Sequence, residues 1–345
     1  MHIGPYILPN PLLVAPMAGV TDRPFRVLCK NLGAGYAVSE MMTSQPQLWT
    51  TLKSQRRMDH SGEVAPIAVQ IAGTDPDQMA HAARFNIAHG AQIIDINMGC
   101  PAKKVCNKWA GSALMQNEPL ALGIVEAVVK ACEPYGVAVT LKMRTGWCNA
   151  HKNARQIAVQ AEMLGVQMIA VHGRTREQGY KGQAEYETVA DIKSRLRIPV
   201  VANGDIDSPE KAKAVLEQTG VDGLMIGRAA QGRPWLFREI AHYLVTGQHL
   251  AAPLVAQVKR LLLDHLKDHH TLYGPELGVR SARKHIAWYV RDLPGAEPFR
   301  EQMNLLTDCS AQLAAVDTYF SDLAERYERL VYSSSAPMAP IASLV

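Results

Sequence analysis

The stretch Ile93-Ile94-Asp95-Ile96-Asn97-Met98-Gly99-Cys100-Pro101-Ala102-Lys103-Lys104 decides how the chain is read. A short apolar run that stops at glycine and proline is a buried strand opening into a loop. Asn97 and Cys100 therefore stand at the end of a strand and not in its middle. A thiol keeps its proton at neutral pH unless its pKa is depressed, so Cys100 can serve as a proton donor as well as a nucleophile or ligand. Lys103 and Lys104 follow it with two positive charges.

Outward from this stretch the same unit recurs: an apolar run, a polar or glycine-rich stop, then a segment of helical period. The runs are Leu12 to Met17, Gly35 to Glu40, Pro66 to Ile71, Ile93 to Asn97, Val137 to Lys142, Met168 to His172, Pro199 to Asn203 and Gly223 to Gly227. Helix starts are marked between them, as at Thr74-Asp75-Pro76-Asp77 and Asp207-Ser208-Pro209-Glu210. Eight strands alternating with helices over roughly 230 residues predict an α/β fold, a (β/α)8 TIM barrel. A doubly wound open sheet is the alternative, because strand number alone does not prove closure.

After about residue 246 the strand signal stops and four helical segments follow, Leu254 to His270, Gly278 to Asp292, Glu297 to Thr307 and Ser310 to Leu330. The predicted organisation is a TIM-barrel catalytic domain at 1–245 and a small all-α helical bundle at 250–330. A disordered tail is expected at 331–345, where periodicity is lost.

At 345 residues with 48% hydrophobic composition the chain can bury a large core. No stretch approaches a membrane span and the first residues lack a secretory pattern, so a cytoplasmic protein is expected. Six cysteines without a C-x-x-C pair argue against a disulfide framework and against a zinc site. The net charge of +4 is compatible with a polyanionic partner.

The stops carry the chemistry. They supply Met17, Gln70, Asn97, Lys142, Arg144, His172, Asn203, Gly204, Asp205, Gly227 and Arg228, and in a barrel strand ends converge on one mouth. Glycines after the last two strands, with Arg228, suit a phosphate. Lys142 ends a strand as a lone cation, which asks for an anion nearby. Gln70, donor and acceptor at once, suits the edge of a heterocycle. Together these describe a flavin mononucleotide (FMN) pocket, with a sugar phosphate or another nucleotide as alternatives.

The series Ala15-Pro16-Met17-Ala18-Gly19-Val20-Thr21-Asp22, Asn97-Met98-Gly99-Cys100-Pro101, Lys142-Met143-Arg144-Thr145-Gly146-Trp147, Val171-His172-Gly173-Arg174-Thr175, Asn203-Gly204-Asp205 and Met225-Ile226-Gly227-Arg228 resembles the motifs of tRNA-dihydrouridine synthases. The order and spacing are most similar to the bacterial B subfamily, up to roughly Leu330. The resemblance implies FMN in the barrel, NADPH as reductant, and reduction of a D-loop uridine of tRNA. It implies that Pro16, Met17 and Ala18 line the flavin and that Gln70 and Lys142 bind its ring. His172, Asn203, Gly204, Asp205, Gly227 and Arg228 would hold ribityl and phosphate. Cys100 would be the general acid, its proton going to C5 of the uracil as hydride from flavin N5 reaches C6.

Asn97 and Arg144 would orient the base or ribose. Arg174, Lys103, Lys104, Arg280, Arg283 and Lys284 are expected to contact the RNA, since a uridine extruded from folded tRNA loses stacking that phosphate contacts must offset. Monomeric protein and no metal are expected. Cys106 has no role in the resemblance, and a disulfide with Cys100 is conceivable if the distance allows. Two rival readings stay open: another flavin barrel acting on a small molecule, dihydroorotate dehydrogenase-like or ene-reductase-like, and a catalytically silent RNA-binding barrel.

Overall fold

Apolar runs become parallel strands because both faces are buried, one by the barrel interior and one by helices. The computed structural model describes residues 1–107 and 109–332. Lys108, the Lys104 side chain and positions 333–345 of the expected tail lie outside the described residues. The barrel strands are β1 Leu12–Val14, β2 Tyr36–Ala37, β3 Ala68–Ala72, β4 Ile93–Met98, β5 Ala138–Arg144, β6 Met168–His172, β7 Val200–Asn203 and β8 Gly223–Ile226.

They pair in parallel in the order β2-β1-β8-β7-β6-β5-β4-β3, after which Met42–Thr43 pairs with β3. Both ends of that order belong to one stretch, 36–43, so the sheet closes on itself. Val38 bridges Ala68, and the Ser39 N–H donates to the Ala68 carbonyl at 3.0 Å. The predicted second strand, Gly35 to Glu40, is thus shortened to Tyr36–Ala37 with a bridge at Val38, and Met42–Thr43 beyond it forms the other side of the seam. The barrel prediction holds and the open-sheet alternative does not.

Helix starts follow local rules. Asp75 accepts from the Gln78 N–H ahead of Pro76–Ala88, and Ser208 accepts from the Lys211 N–H ahead of Pro209–Thr219, each with proline in the first turn. One element was not expected: His2–Ile3 and Tyr6–Ile7 form an antiparallel hairpin. Its Ile3, with Leu8 just beyond, joins the barrel core of Leu13, Ala68, Ile93, Ala138, Met168 and Val201. The N-terminal end of the barrel is thereby plugged.

The chain divides into two compact units, Met1–Gly227 with Leu236–Thr246, and Arg228–Trp235 with Gly247 onward. The second unit contains helices Val255–Tyr273, Pro275–Val290, Ala296–Leu305 and Cys309–Arg326 around Leu262, Leu266, Ile286, Val316 and Phe320. Arg228–Trp235 packs with these helices. A Cβ on Gly232 would lie 2.3 Å from the Trp288 carbonyl carbon, and Trp235 meets Tyr289 edge-on at 5.9 Å. Among the described residues no helix is long and apolar enough to cross a membrane.

Candidate active site

Strand register brings the expected residues to one end of the barrel. Asn97 is level with Lys142, Arg144 with His172, His172 with Asn203, and Asn203 with Met225. Gln70 is paired with Asp95, and that pair begins a chain of hydrogen bonds.

Asp95 is completely buried, and both its oxygens accept: Oδ1 from Thr140 Oγ1 at 2.6 Å, Oδ2 from Gln70 Nε2 at 2.7 Å. Gln70 Oε1 accepts in turn from Asn97 Nδ2 at 2.6 Å. Asn97 Oδ1 then accepts the backbone N–H groups of Gly99 at 3.2 Å and Cys100 at 3.0 Å. The loop that carries Cys100 is therefore oriented from the barrel interior through Asn97, Gln70 and Asp95. Gln70 is only 1% exposed, so its main contact is with this network. Burial raises the Asp95 carboxyl above its usual value, against the hydrogen bonds from Thr140 and Gln70 and the charge of Lys142.

The Cys100 thiol is partly exposed. Burial raises its pKa, the nearby Cys106 adds to this, and an Ala102 backbone hydrogen bond and the charges of Arg144 and Lys142 oppose it. The thiol thus holds its proton at neutral pH. The Cys100 carbonyl accepts from the Ser112 N–H at 3.1 Å and from Ser112 Oγ at 2.9 Å. Cys106 is buried, its Sγ 3.5 Å from the Cys100 carbonyl oxygen and 3.5 Å from Ser112 Oγ. It fastens the same loop.

Lys142 Nζ donates to Asn203 Oδ1 at 3.0 Å, and Asn203 Nδ2 donates to the Met225 carbonyl at 2.7 Å, so three strands are tied at their ends. Burial, with Arg144 as a like-charged neighbour, brings Lys142 down to about 8. Asp95 and Cys100 pull the other way. A cation desolvated to this degree and resting on a neutral amide is a natural partner for an anionic group.

The two strand-end arginines are spent on the protein itself. Arg144, 1% exposed, donates through Nε to the Gly99 carbonyl and through Nη1 to the carbonyls of Thr175 and Gly179, each at 2.8 Å. It joins the Cys100 loop to the loop after β6. Arg174, 2% exposed, donates to the carbonyls of Lys181 and Gly182 and pairs with Asp205 at 2.6 Å, while its Nη1 lies 3.3 Å from His172 Nε2. That geometry sets it beside His172 as a support. The carbonyls that receive both arginines come from loops without a sequence signature.

Asp205 Oδ2 also accepts from the Ala184 N–H at 2.8 Å. Gly204 sits at φ +120°, and a Cβ there would lie 2.8 Å from the Ala184 Cβ and 3.4 Å from His172 ring atoms. A Cβ on Gly227 would lie 3.5 Å from the Ala15 Cβ and 3.5 Å from Met17 Sδ. Pro16 and Met17 are half-buried and Ala18 is exposed. Thr21 Oγ1 accepts from the Met17 N–H at 2.8 Å and fixes this turn.

In the second unit Arg228 opens the short turn Arg228–Ala230. Arg280 is exposed, whereas Arg283 and Lys284 are half-buried and Arg283 Nη2 donates to the Leu306 carbonyl at 2.9 Å. Lys103, in the first unit, is exposed on the Lys103–Cys106 turn of helix. Reading the sequence missed Asp95 and Thr140, although a carboxylate inside an apolar strand was a visible signal.

The family model described as dihydrouridine synthase (Dus) matches residues 13–325. A tRNA-dihydrouridine synthase B of Pseudomonas aeruginosa is 60% identical over 93% of this chain and 96% of that protein. One from Xanthomonas campestris pv. campestris is 59% identical over 94% and 96%. Among solved structures, morphinone reductase superposes with TM-score 0.52 at 12% identity, over 75% of this chain and 91% of that one. A variant of NCR from Zymomonas mobilis gives 0.51 at 17% identity, over 73% and 92%. At such identities the superpositions bear on the barrel fold alone.

Proposed function

Because the chain belongs to the dihydrouridine synthase family, we propose that it uses FMN and NADPH to reduce the C5=C6 bond of a D-loop uridine in tRNA to 5,6-dihydrouridine. The observation that carries the reading is a proton-holding thiol at Cys100 within electrostatic reach of the desolvated Lys142 ammonium.

The donor set fits a flavin. Lys142 offers a buried positive charge to an electron-rich ring, Met17 and Pro16 offer apolar surface, and Gly204 and Gly227 keep side chains away from the strand ends. His172 and Asn203 would hold the ribityl chain. The phosphate would lie by Gly204 and Gly227, with Arg228 next in the chain as its counter-charge. When bound, FMN supplies the hydride that reaches C6 of the uracil.

Cys100 supplies the proton at C5. Its raised pKa keeps the proton on sulfur until the carbon takes it, and Asn97 fixes the loop from which Sγ is presented. Lys142 counters the negative charge of the reduced site. Asp205, Arg174 and Arg144 hold the β6 and β7 loops in register behind these groups. Extruding a base costs a few kcal/mol, and contacts from Lys103, Lys104, Arg280 and Lys284 to phosphates would offset it.

The test is a pair of half-reactions on purified protein. Denatured protein should release FMN, and Cys100→Ala should still allow NADPH to bleach the flavin while losing uridine reduction in tRNA. Protein that releases no flavin, or a Cys100→Ala variant with normal tRNA turnover, would overturn the reading.

A further inference from the structure

We propose that the second unit binds a zinc ion through His265, His269 and His285, and that the ion staples helix Val255–Tyr273 to helix Pro275–Val290. His265 and His269 are four residues apart on the first helix, so their rings share one face, and His285 comes from the helix packed against it. One ring nitrogen from each of the three lies within 4.8 Å of the others, and all three residues are buried. Ring centroids are 4.9 Å apart for His265 and His285 and 5.2 Å for His269 and His285, with the rings at 77° and 63°. Rings packed only for their apolar surface have no reason to turn nitrogens toward a common point.

A second observation concerns the tautomer. Ser281 Oγ lies 2.6 Å from the Leu277 carbonyl and 2.7 Å from His269 Nε2; donating to the carbonyl leaves it free to accept from the ring. In that tautomer His269 would carry its proton on Nε2 and its lone pair on the buried Nδ1. A hydrogen bond that fixes one ring nitrogen and leaves the other for a metal is how metal-binding histidines are oriented. Three neutral imidazoles suit zinc, which completes a tetrahedral shell with water. The pattern was hidden in the sequence because the third ligand comes from another helix and no cysteine takes part. The proposal departs from the expectation of no metal, which considered cysteine spacing and not histidines brought together from two helices.

The staple would hold in place the helix that carries Arg280 and Lys284, and Lys284 is the neighbour of a ligand. The binding claim is independent of the reaction proposed above.

The experiment uses full-length protein stripped with a chelator and reloaded with Zn2+ alone, followed by gel filtration and elemental analysis, with Co2+ as a spectroscopic probe. The expected result is about one zinc per chain, a higher unfolding temperature on reloading, and a Co2+ visible spectrum without the thiolate charge-transfer band that cysteine ligation would give. Changes to outer partners of zinc ligands cost about 10- to 100-fold in affinity, so His269→Gln and His285→Gln should each lose at least about 100-fold. His249→Gln, at an exposed histidine, should retain the zinc. Wild-type protein that keeps no zinc, a cobalt spectrum with thiolate character, or full zinc content in both ligand variants would each refute the site. The wild-type measurements decide the matter even where a variant fails to fold.

Discussion

Replacing Asp95 with asparagine tests whether the barrel interior sets the position of Cys100. Both Asp95 oxygens accept, from Thr140 and from Gln70, so with an amide in its place either the Thr140 hydroxyl must turn to accept or the Gln70 amide must flip. If Gln70 flips to relieve this, its NH2 meets the Asn97 NH2, and Asn97 loses the anchor from which it holds the Gly99 and Cys100 N–H groups. One unsatisfied buried polar group costs about 1–3 kcal/mol of stability. A shift of the thiol by about 1 Å costs up to about 100-fold in rate.

The charge matters too. With a pKa of about 8, Lys142 is roughly nine-tenths protonated at pH 7, and Asp95 is one of the groups that hold it there. Loss of that carboxylate removes an attraction that raises Lys142, so a smaller share of it would be protonated at pH 7. Single-turnover uridine reduction, followed across pH 6 to 9, should be slowed roughly 10- to 100-fold in Asp95→Asn, with its basic limb moved to lower pH. A variant with the wild-type rate and an unmoved basic limb would refute the relay from Asp95 to Cys100.

A buried ion pair gives an acid-stability prediction: burial pushes Glu63 up, but hydrogen bonds and charge from Arg26 and His60 outweigh it and bring the carboxyl from 4.5 to about 2. A depressed carboxyl contributes stability that is present above 4.5 and lost as pH falls toward 2, about 3 kcal/mol in all, so urea unfolding of Glu63→Gln should lack that part of the acid dependence. Gly204→Ala should destabilise by about 1–3 kcal/mol in thermal unfolding and lower flavin content, since it combines positive φ with a 2.8 Å clash. Replacing Arg280 and Lys284 by glutamine should weaken tRNA binding in filter assays and flatten its log-salt slope by roughly 1 per lost phosphate contact; an unchanged slope would move RNA contact elsewhere.

Much of this molecule is legible in the sequence because its strands are buried on both faces and read as unbroken apolar runs. Ile93 to Met98 and Met168 to His172 need no partner to be recognised. The seam is harder: residues 36–43 pair to one side through Tyr36 and Ala37 and to the other through Val38 and Met42, a change of neighbour that no local pattern announces. The N-terminal hairpin is short, with only Ile3 of its four strand residues buried, too little for a period to show. At the site, residue type located the groups but not their partners. Lys142 and Cys100 sit as expected at strand ends, whereas Arg144 and Arg174 turn to carbonyls fifty residues or fewer away in sequence, which only folding brings near. Asp95 and the histidine cluster matter through pairs across strands or helices, and such pairs are not visible one residue at a time.

The central claim is that the Cys100 thiol completes uridine reduction in tRNA. Its most direct test is mass analysis of tRNA nucleosides from cells lacking this protein, restored with either the wild-type chain or Cys100→Ala. The account predicts that dihydrouridine lost on deletion returns with the wild type and stays missing with Cys100→Ala. Dihydrouridine unchanged by the deletion, or restored in full by Cys100→Ala, would contradict it.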